Sequence, residues 1–295
     1  MEGQTNLKCR TVTHQVFPGI QILYHDFHSE VASLGQFVQN DKNCFEIIHC
    51  REGRMECDIE NEFCYISPGD LLVVKRSCRN NKVYFPLNHY HGITVRIDIE
   101  KSPKCLSCFL KDVAVQPALI ANRFCNRKPY FIARANPSFE HIYSELYTVP
   151  KEIQQGYFKV KILELMLFLS VFHNVDESDI RRIPPHQVKL AKEVCQYLTN
   201  HMDERVTIER VSDIFNTSPT NIKVAVKAVY GISFYSFTKA QKMESAAYML
   251  EYSDKSVIEI AGEHGYDNGS KFASAFRSVK GVTPSEYRQI NKKYI

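Results

Sequence analysis

The sequence predicts an α+β protein with a strand-rich N-terminal half and an all-helical C-terminal third. Up to about Glu100, short segments rich in β-branched and aromatic residues alternate with turn signals. From Ser138 onward the apolar residues recur with helical spacing, and the last hundred residues contain an internal repeat. Many short strands at regular spacing are typical of an antiparallel sandwich or barrel.

Length and composition limit the class of protein. A chain of 295 residues is long enough for two domains, each with its own core. No apolar run is long enough to cross a bilayer, and the first residues lack the apolar segment of a secretory signal. We therefore expect a cytoplasmic protein without a membrane partner. Nine of the ten cysteines precede residue 130, and in a cytosolic chain of this length we expect them to be reduced.

The predicted strands lie between clear turn signals. Glu52-Gly53, Pro68-Gly69-Asp70 and Asn80-Asn81 supply these signals. The strands themselves are FEIIHC (45–50), GRMECDI (53–59), FCYI (63–66), DLLVV (70–74) and ITVRIDI (93–99).

Two helices, 138–149 and 152–173, follow the strands and are separated by Pro150. The second is apolar nearly all round, so it requires two apolar partners. We expect the strand domain to cover one face and a second copy of the chain to cover the other in a homodimer; a deeper intramolecular core is the alternative. The polar segment before Pro184-Pro185 has the composition of a linker. The predicted divisions are a strand domain (1–137), a helical dimerisation segment (138–173), a linker (174–185) and a helical domain (186–295).

The helical domain contains a repeat with a constant offset of fifty residues. The matching pairs are Ile208/Ile258, Glu209/Glu259, Ile222/Phe272, Val226/Phe276, Lys227/Arg277, Val229/Val279, Gly231/Gly281 and Phe237/Tyr287. A repeat of this length can indicate a solenoid or a propeller, but only two copies are present and both are helical. Two copies of a helix-turn-helix explain the repeat better.

Helix start and stop signals divide this domain into seven helices. Ser256 with Glu259, and Thr283 with Glu286, match the capping box. Ser218-Pro219 and Pro284 mark further helix starts, and Gly231, Gly265 and Gly281 lie where helices are expected to end. The predicted helices are 186–202, 207–214, 218–229, 233–252, 256–264, 268–280 and 284–293, with helix-turn-helix units at about 207–229 and 256–280.

Three stretches of this domain form a recognisable pattern: VSDIFNTSPTNIKVAVKAVYGISFYSF, KMESAAYML and SVIEIAGEHGYDNGSKFASAFRSVKGVTPSEYR. Through them, residues 186–291 resemble the AraC/XylS family of bacterial transcription regulators. This resemblance implies that the helix at 233–252 joins the two units. It also implies that the third and sixth helices enter successive major-groove segments of double-stranded DNA, ~34 Å apart. RNA polymerase is then a candidate partner, and no enzymatic activity or cofactor is expected.

Helical spacing predicts which side chains of these two helices face DNA. Ile222, Val226 and Val229 on the third helix, like Phe272, Phe276 and Val279 on the sixth, are expected in the core. The base-facing residues are then Thr220, Asn221, Lys223, Val224, Ser270, Lys271 and Ser274. The phosphate-facing residues are Ser218, Lys227, Arg277 and Lys280. Family members often place an arginine at the positions of Val224 and Ser274, so we expect weaker direct base recognition here and more dependence on DNA shape.

The N-terminal half resembles the cupin-like effector domain of many AraC-type regulators, since Pro68-Gly69-Asp70 precedes a strand as in cupins. This resemblance implies a small-molecule effector pocket inside a β-barrel and dimerisation through the helices that follow. The effector would bind one arrangement of the protein better than another and so shift the DNA-binding population. Predicted pocket residues are Tyr24, His49, Tyr84, His91 and Arg96. Arg96 suits an anionic effector, or alternatively pairs with a surface acid.

A thiol- or metal-responsive sensor is the alternative function. His89 and His91 place two imidazoles on one strand face, with His25 and His28 as further candidates, but the acidic ligand of the cupin pattern is missing from 92–96. No metal site is therefore predicted, and a cupin enzyme is disfavoured. Cys105 and Cys108 form a lone C-x-x-C, which has the spacing of half a zinc site, with Cys125 as the nearest further ligand, or of a redox pair. With so many other cysteines in this half, a chance spacing is the third explanation.

Overall fold

The computed structural model describes residues 10–33, 43–60, 62–78, 82–107, 115–126, 128–172, 183–202, 204 and 206–291. The chain divides into two compact units, Met1–Arg182 and Ile183–Ile295. Within the described ranges the first unit contains ten strands and three α-helices, and the second contains seven helices. The predicted α+β class is therefore confirmed.

The strands of the N-terminal unit form two antiparallel sheets. They are β1 Arg10–Phe17, β2 Ile20–Phe27, β3 Val31–Ser33, β4 Cys44–Gly53, β5 Met55–Ile59, β6 Glu62–Ile66, β7 Leu71–Lys75, β8 Lys82–Tyr84, β9 Tyr90–Asp98 and β10 Tyr130–Ala133. The larger sheet has the order β1-β2-β9-β4-β7-β10, and the smaller one β3-β8-β5-β6. All five predicted strand segments are present, whereas β1, β2, β3, β8 and β10 were not predicted.

The two sheets pack on each other as a sandwich and not as the predicted closed barrel. Ile48 and Leu72 of the larger sheet share one core with Met55 and Cys57 of the smaller sheet. Among the described residues no strand of one sheet pairs with a strand of the other, so the barrel does not close. The chain changes sheet at Gly53, which has a φ of +82° and lies so close to the backbone of His89 that a Cβ would overlap its carbonyl oxygen.

Three helices cover the opposite face of the larger sheet. They are α1 Pro117–Cys125, α2 Pro137–Leu146 and α3 Gln154–Val171, of which α2 and α3 were predicted. The α3 helix buries Phe158, Ile162 and Leu165 in the same core as Ile22 and Ile47 of the sheet. Its exposed residues include Val160, Phe168 and Val171, so an apolar strip also faces outward.

The C-terminal unit contains the seven predicted helices, each ending within two residues of its predicted bounds. They are α4 Pro185–Asn200, α5 Ile208–Ile214, α6 Pro219–Tyr230, α7 Phe234–Tyr252, α8 Val257–Glu263, α9 Gly269–Lys280 and α10 Pro284–Asn291. The Ser256 capping box is confirmed: Glu259 N–H donates to Ser256 Oγ at 3.2 Å, and Ser256 N–H donates to Glu259 Oε2 at 2.6 Å. No helix of the described chain has the length and apolar character of a membrane span.

Candidate nucleic-acid interface

Helix α6 is fixed at both ends by the residues that the sequence indicated. The Ser218 hydroxyl accepts a hydrogen bond from Asn221 N–H at 3.2 Å, and Pro219 occupies the first helical position. Gly231 ends the helix in the left-handed conformation, with a φ of +77°. Ile222, Val226 and Val229 are fully buried, which turns the other side of the helix to solvent.

Helix α9 is built in the same way with different residues. The Asn268 side chain accepts hydrogen bonds from the N–H groups of Ser270 and Lys271 at 2.8 and 3.2 Å. Phe272 and Phe276 are fully buried, and Gly281 ends the helix with a φ of +79°. Packing thus fixes the rotation of α9 about its axis and exposes one defined face.

The outer faces of these two helices consist of neutral and basic side chains. All seven predicted base-facing residues are exposed: Thr220, Asn221, Lys223 and Val224 on α6, and Ser270, Lys271 and Ser274 on α9. Neither helix contains Asp or Glu. A positive, acid-free surface on a helix is the electrostatic requirement for approach to phosphates.

The predicted phosphate-facing residues divide into two groups. Three of them are exposed: Ser218 at the N-terminal cap of α6, Lys227 on α6 and Arg277 on α9. Lys280 is different, because its amine lies 2.6 Å from Glu244 Oε2 on α7 and its side chain is only 17% exposed. The assignment of Lys280 to a phosphate is therefore not supported: this ion pair would have to break first.

The two helix-turn-helix units differ by one residue in their turns, which corrects the uniform fifty-residue offset. Helices α6 and α9 lie fifty residues apart, but α5 and α8 lie forty-nine apart. The left-handed turn residue is Asn216 in the first unit and Gly265 in the second, again forty-nine apart. Ile258 accordingly is 77% exposed while Ile208 is 1% exposed, so this sequence match does not correspond to equivalent positions.

Lys242 holds the turn of the second unit in place, and sequence reasoning missed it. The side chain is buried, and its ammonium group donates to the carbonyl oxygens of His264 and Glu204, each at 2.7 Å. The lysine extends from α7 to the chain that leads into α9. A lysine next to Met243 on the apolar side of a helix was the available signal. A neighbouring cleft of about 520 Å³ is lined by Lys239 and Lys271 among other residues.

The predicted effector residues of the N-terminal unit do not form one pocket. Tyr24 lies on the helix-covered side of the large sheet, where its hydroxyl donates to the Leu146 carbonyl oxygen at 2.8 Å. His49 also meets the helices: its ring stacks on Tyr143 at 4.2 Å, and burial lowers its pKa. Tyr84 is exposed on a strand of the small sheet. Because side chains alternate along β2 and β4, Tyr24 and His49 lie on the helix-covered face of the larger sheet and not between the two sheets. The predicted pocket, which placed them inside the strand domain, is therefore wrong for these residues.

Arg96 does lie between the sheets, but it already has an acidic partner. Its Nε and one terminal nitrogen donate to Glu46 Oε1 at 3.0 and 2.8 Å. Arg76 approaches the same oxygen to 3.7 Å. The acidic partner of Arg96 is thus a fully buried glutamate and not the surface acid that was predicted. The Arg96 guanidinium group is already paired with this carboxylate and does not offer an unpaired group to an anionic effector. Nearby, His25 Nε2 on β2 lies 2.9 Å from the hydroxyl of Thr94 on the neighbouring strand β9, so a second polar contact lies on this face of the larger sheet.

The cysteines give little support to thiol chemistry. The eight described cysteines are reduced, and six of them are buried. Burial raises the pKa of the Cys125 thiol to about 11 and that of Cys50 well above its ordinary value. Such thiols stay protonated near neutral pH and are poor nucleophiles. The predicted pair Cys105–Cys108 cannot be placed as a pair, since Cys108 lies outside the described residues.

Comparison with known proteins identifies the C-terminal unit. A model of a helix-turn-helix domain matches residues 211–290. The regulatory protein PocR of Salmonella typhimurium is 33% identical over 126 residues, which are 41% of this chain and 41% of PocR. The chain therefore spans less than half the length of this curated relative.

Two solved structures are also similar. The C-terminal domain of AraT, a response regulator from Geobacillus stearothermophilus, is 31% identical and covers 38% of this chain and 91% of that domain, with a TM-score of 0.35. Wild-type ToxT from Vibrio cholerae, in a structure with bound unsaturated fatty acid, is 12% identical over 95% of this chain and 100% of that one, with a TM-score of 0.35.

Proposed function

We propose that this chain, whose C-terminal unit is a helix-turn-helix domain of the AraC/XylS family, is a transcription regulator that binds double-stranded DNA through α6 and α9. The observation that carries the proposal is the pair of capped helices fifty residues apart, each with a buried inner face and an exposed, acid-free outer face. The regulator acts in the cytoplasm, with RNA polymerase as a further partner and without an enzymatic role.

The outer faces of α6 and α9 make two kinds of contact with DNA, to base edges and to phosphates. Thr220, Asn221, Lys223, Val224, Ser270, Lys271 and Ser274 contact base edges. Ser218, Lys227 and Arg277 contact phosphates, which set the position of the protein without selecting sequence. The lysines can donate to guanine, and Val224 contacts thymine methyl groups.

The N-terminal unit binds the small-molecule effector and forms the homodimer. The Glu46–Arg96 pair is buried on the face of the larger sheet that meets the smaller one, and as a pair, without a free charge, it is a candidate polar wall of the effector site. Mass spectrometry of the purified full chain would detect a small molecule carried through purification. The apolar strip of Val160, Phe168 and Val171 on α3 forms the dimer contact. Analytical ultracentrifugation tests this contact: a variant with Val160→Glu and Val171→Glu should sediment with half the mass of the wild-type protein.

Selection from a random pool of DNA duplexes tests the proposed function. The full chain should enrich one sequence motif, and its affinity should fall steeply with added salt. Lys223→Glu with Lys271→Glu should abolish the enrichment, because both base-contacting lysines are lost and two carboxylates then enter the negative field of the DNA groove. Lys189→Glu with Lys192→Glu on α4 is the control with the same change of charge. No enriched motif, or equal loss in the control, would count against the proposal.

A further inference from the structure

Three side chains at one rim of the N-terminal unit bring metal-ligating atoms together. Asp26 lies at the end of β2, His28 follows the strand, and His91 lies opposite Asp26 at the start of β9. The Nε2 atoms of His28 and His91 each lie 3.0 Å from Asp26 Oδ1. The three potential ligand atoms are all within 4.8 Å of one another, which is compatible with a shared ion at their centre.

A fourth residue orients His91 in the manner that metal sites require. Glu52 lies opposite His91 where β4 bulges, and its Oε2 lies 3.4 Å from His91 Nδ1. A histidine that binds a metal through one ring nitrogen almost always donates the other N–H to a carboxylate or a carbonyl. With Nδ1 facing Glu52, the Nε2 atom of His91 faces Asp26 and His28.

The Nε2 atom of His91 also has an unmet bonding requirement. The atom is shielded from solvent, and despite the short distance to Asp26 no hydrogen bond of normal geometry reaches it within the described part of the chain. A buried polar atom of this kind usually has a partner, either in the protein or in a bound group. Access to the site is open, because the side chains of Asp26 and His28 are 58% and 46% exposed.

We propose that Asp26, His28 and His91 bind a divalent first-row transition cation such as Zn²⁺, with Glu52 as the orienting residue. Two imidazole nitrogens and one carboxylate oxygen are a donor set that Zn²⁺ accepts, with water completing the shell. The site joins the ends of β2 and β9 to the bulge of β4, so cation binding stabilises the N-terminal unit by mass action. The site is independent of the proposed DNA binding.

This site replaces the arrangement considered from sequence. His89 lies before β9, with Nδ1 3.0 Å from the Leu87 carbonyl oxygen and its ring 6.4 Å from that of His91. His25 contacts Thr11 and Thr94. The acid missing from the segment after His91 is supplied by Asp26 from the neighbouring strand.

Equilibrium dialysis of the metal-stripped full chain against Zn²⁺, under reducing conditions, tests the site. The wild-type chain should bind one equivalent of Zn²⁺. His28→Ala and Asp26→Ala should each lower the Zn²⁺ affinity at least tenfold. Glu52→Gln should weaken it 10–100-fold, the usual effect of losing an orienting carboxylate. His89→Ala is the matched control and should bind Zn²⁺ like wild type. His28 is exposed and outside a strand, so His28→Ala is the deciding variant, and circular dichroism checks its fold.

Cobalt(II) separates this site from one made of cysteines. Co²⁺ bound by imidazole and carboxylate gives visible ligand-field bands without the thiolate charge-transfer bands of a cysteine site. The proposal expects this spectrum in wild type and its loss in His28→Ala, with a higher melting temperature of wild type in Zn²⁺. Equal Zn²⁺ affinity of wild type and His28→Ala, or a thiolate spectrum that His28→Ala leaves unchanged, would overturn the proposal.

Discussion

The two helix-turn-helix units share a scaffold but present different side chains at equivalent positions. Helices α6 and α9 have the same length and end at left-handed glycines. Fifty residues apart, however, Asn221 corresponds to Lys271, and Val224 to Ser274. The core and the caps are thus repeated, whereas the outer faces have diverged. A protein built this way can hold two helices in fixed positions while each contacts a different base sequence, so the two halves of its DNA site should not be identical.

The largest expected effect in either unit concerns its core. Phe272→Ala should lower the free energy of unfolding by about 3–5 kcal/mol, and the equivalent Ile222→Ala by about 2–5 kcal/mol, because both leave cavities. Urea denaturation followed by far-ultraviolet circular dichroism measures both. Ser270→Ala, at an exposed position of the same helix, is the control. A loss below 1 kcal/mol in Phe272→Ala would show that α9 does not depend on this core.

The outer faces should differ in which half of the DNA site they select. Lys271→Ala and Asn221→Ala should each cost about 1–3 kcal/mol of binding and relax sequence preference in different halves. Binding measured against operator variants in each half distinguishes them. If both substitutions relaxed the same half, the assignment of one helix to each half would be wrong.

The turns should respond differently to substitution, since Gly265 and Asn216 both have positive φ values of 72° and 46°. Gly265→Ala should destabilise the second unit by about 1–2 kcal/mol, because a Cβ is unfavourable in this conformation. Asn216→Gly should cause no loss. Thermal unfolding compares the two, and an unaffected Gly265→Ala variant would contradict the observed turn.

The smallest difference is expected for the phosphate contacts. Lys227 and Arg277 occupy equivalent positions. Lys227→Ala and Arg277→Ala should each reduce the slope of the logarithm of the DNA-binding constant against the logarithm of salt concentration by about 0.9. Binding at several salt concentrations measures this, and sequence preference should stay unchanged. Lys280→Ala is the comparison, because Lys280 is paired with Glu244 and should leave the slope unaltered.

The helical unit could be predicted closely because its signals are local. Ser218 and Ser256 cap the helices that follow them, and Gly231 and Gly281 end helices, so start and stop residues identified the elements one by one. The extra residue after Gly265 was not predicted, since the match of Ile208 with Ile258 hid it. The shift appears only in the structure, where α5 and α8 lie forty-nine residues apart and the burial of these two residues differs completely.

The strand unit was harder to predict because its contacts are long-range. Glu46 and Arg96 are fifty residues apart and meet through the register of β4 and β9, which no local pattern specifies. The bulge between Cys50 and Glu52 likewise decides which carboxylate faces His91. Strands β1 and β2 had a usable signal in Pro18-Gly19 between two alternating runs, but it was not recognised.

Hydroxyl-radical footprinting of the full chain on its selected DNA tests the central claim most directly. Both α6 and α9 should protect the backbone, giving two protected segments about one helical turn apart on one face of the duplex. Lys223→Glu should remove one segment and Lys271→Glu the other, which assigns each unit to its half. Protection of a single segment, lost equally in both variants, would contradict the account that two non-equivalent units bind DNA.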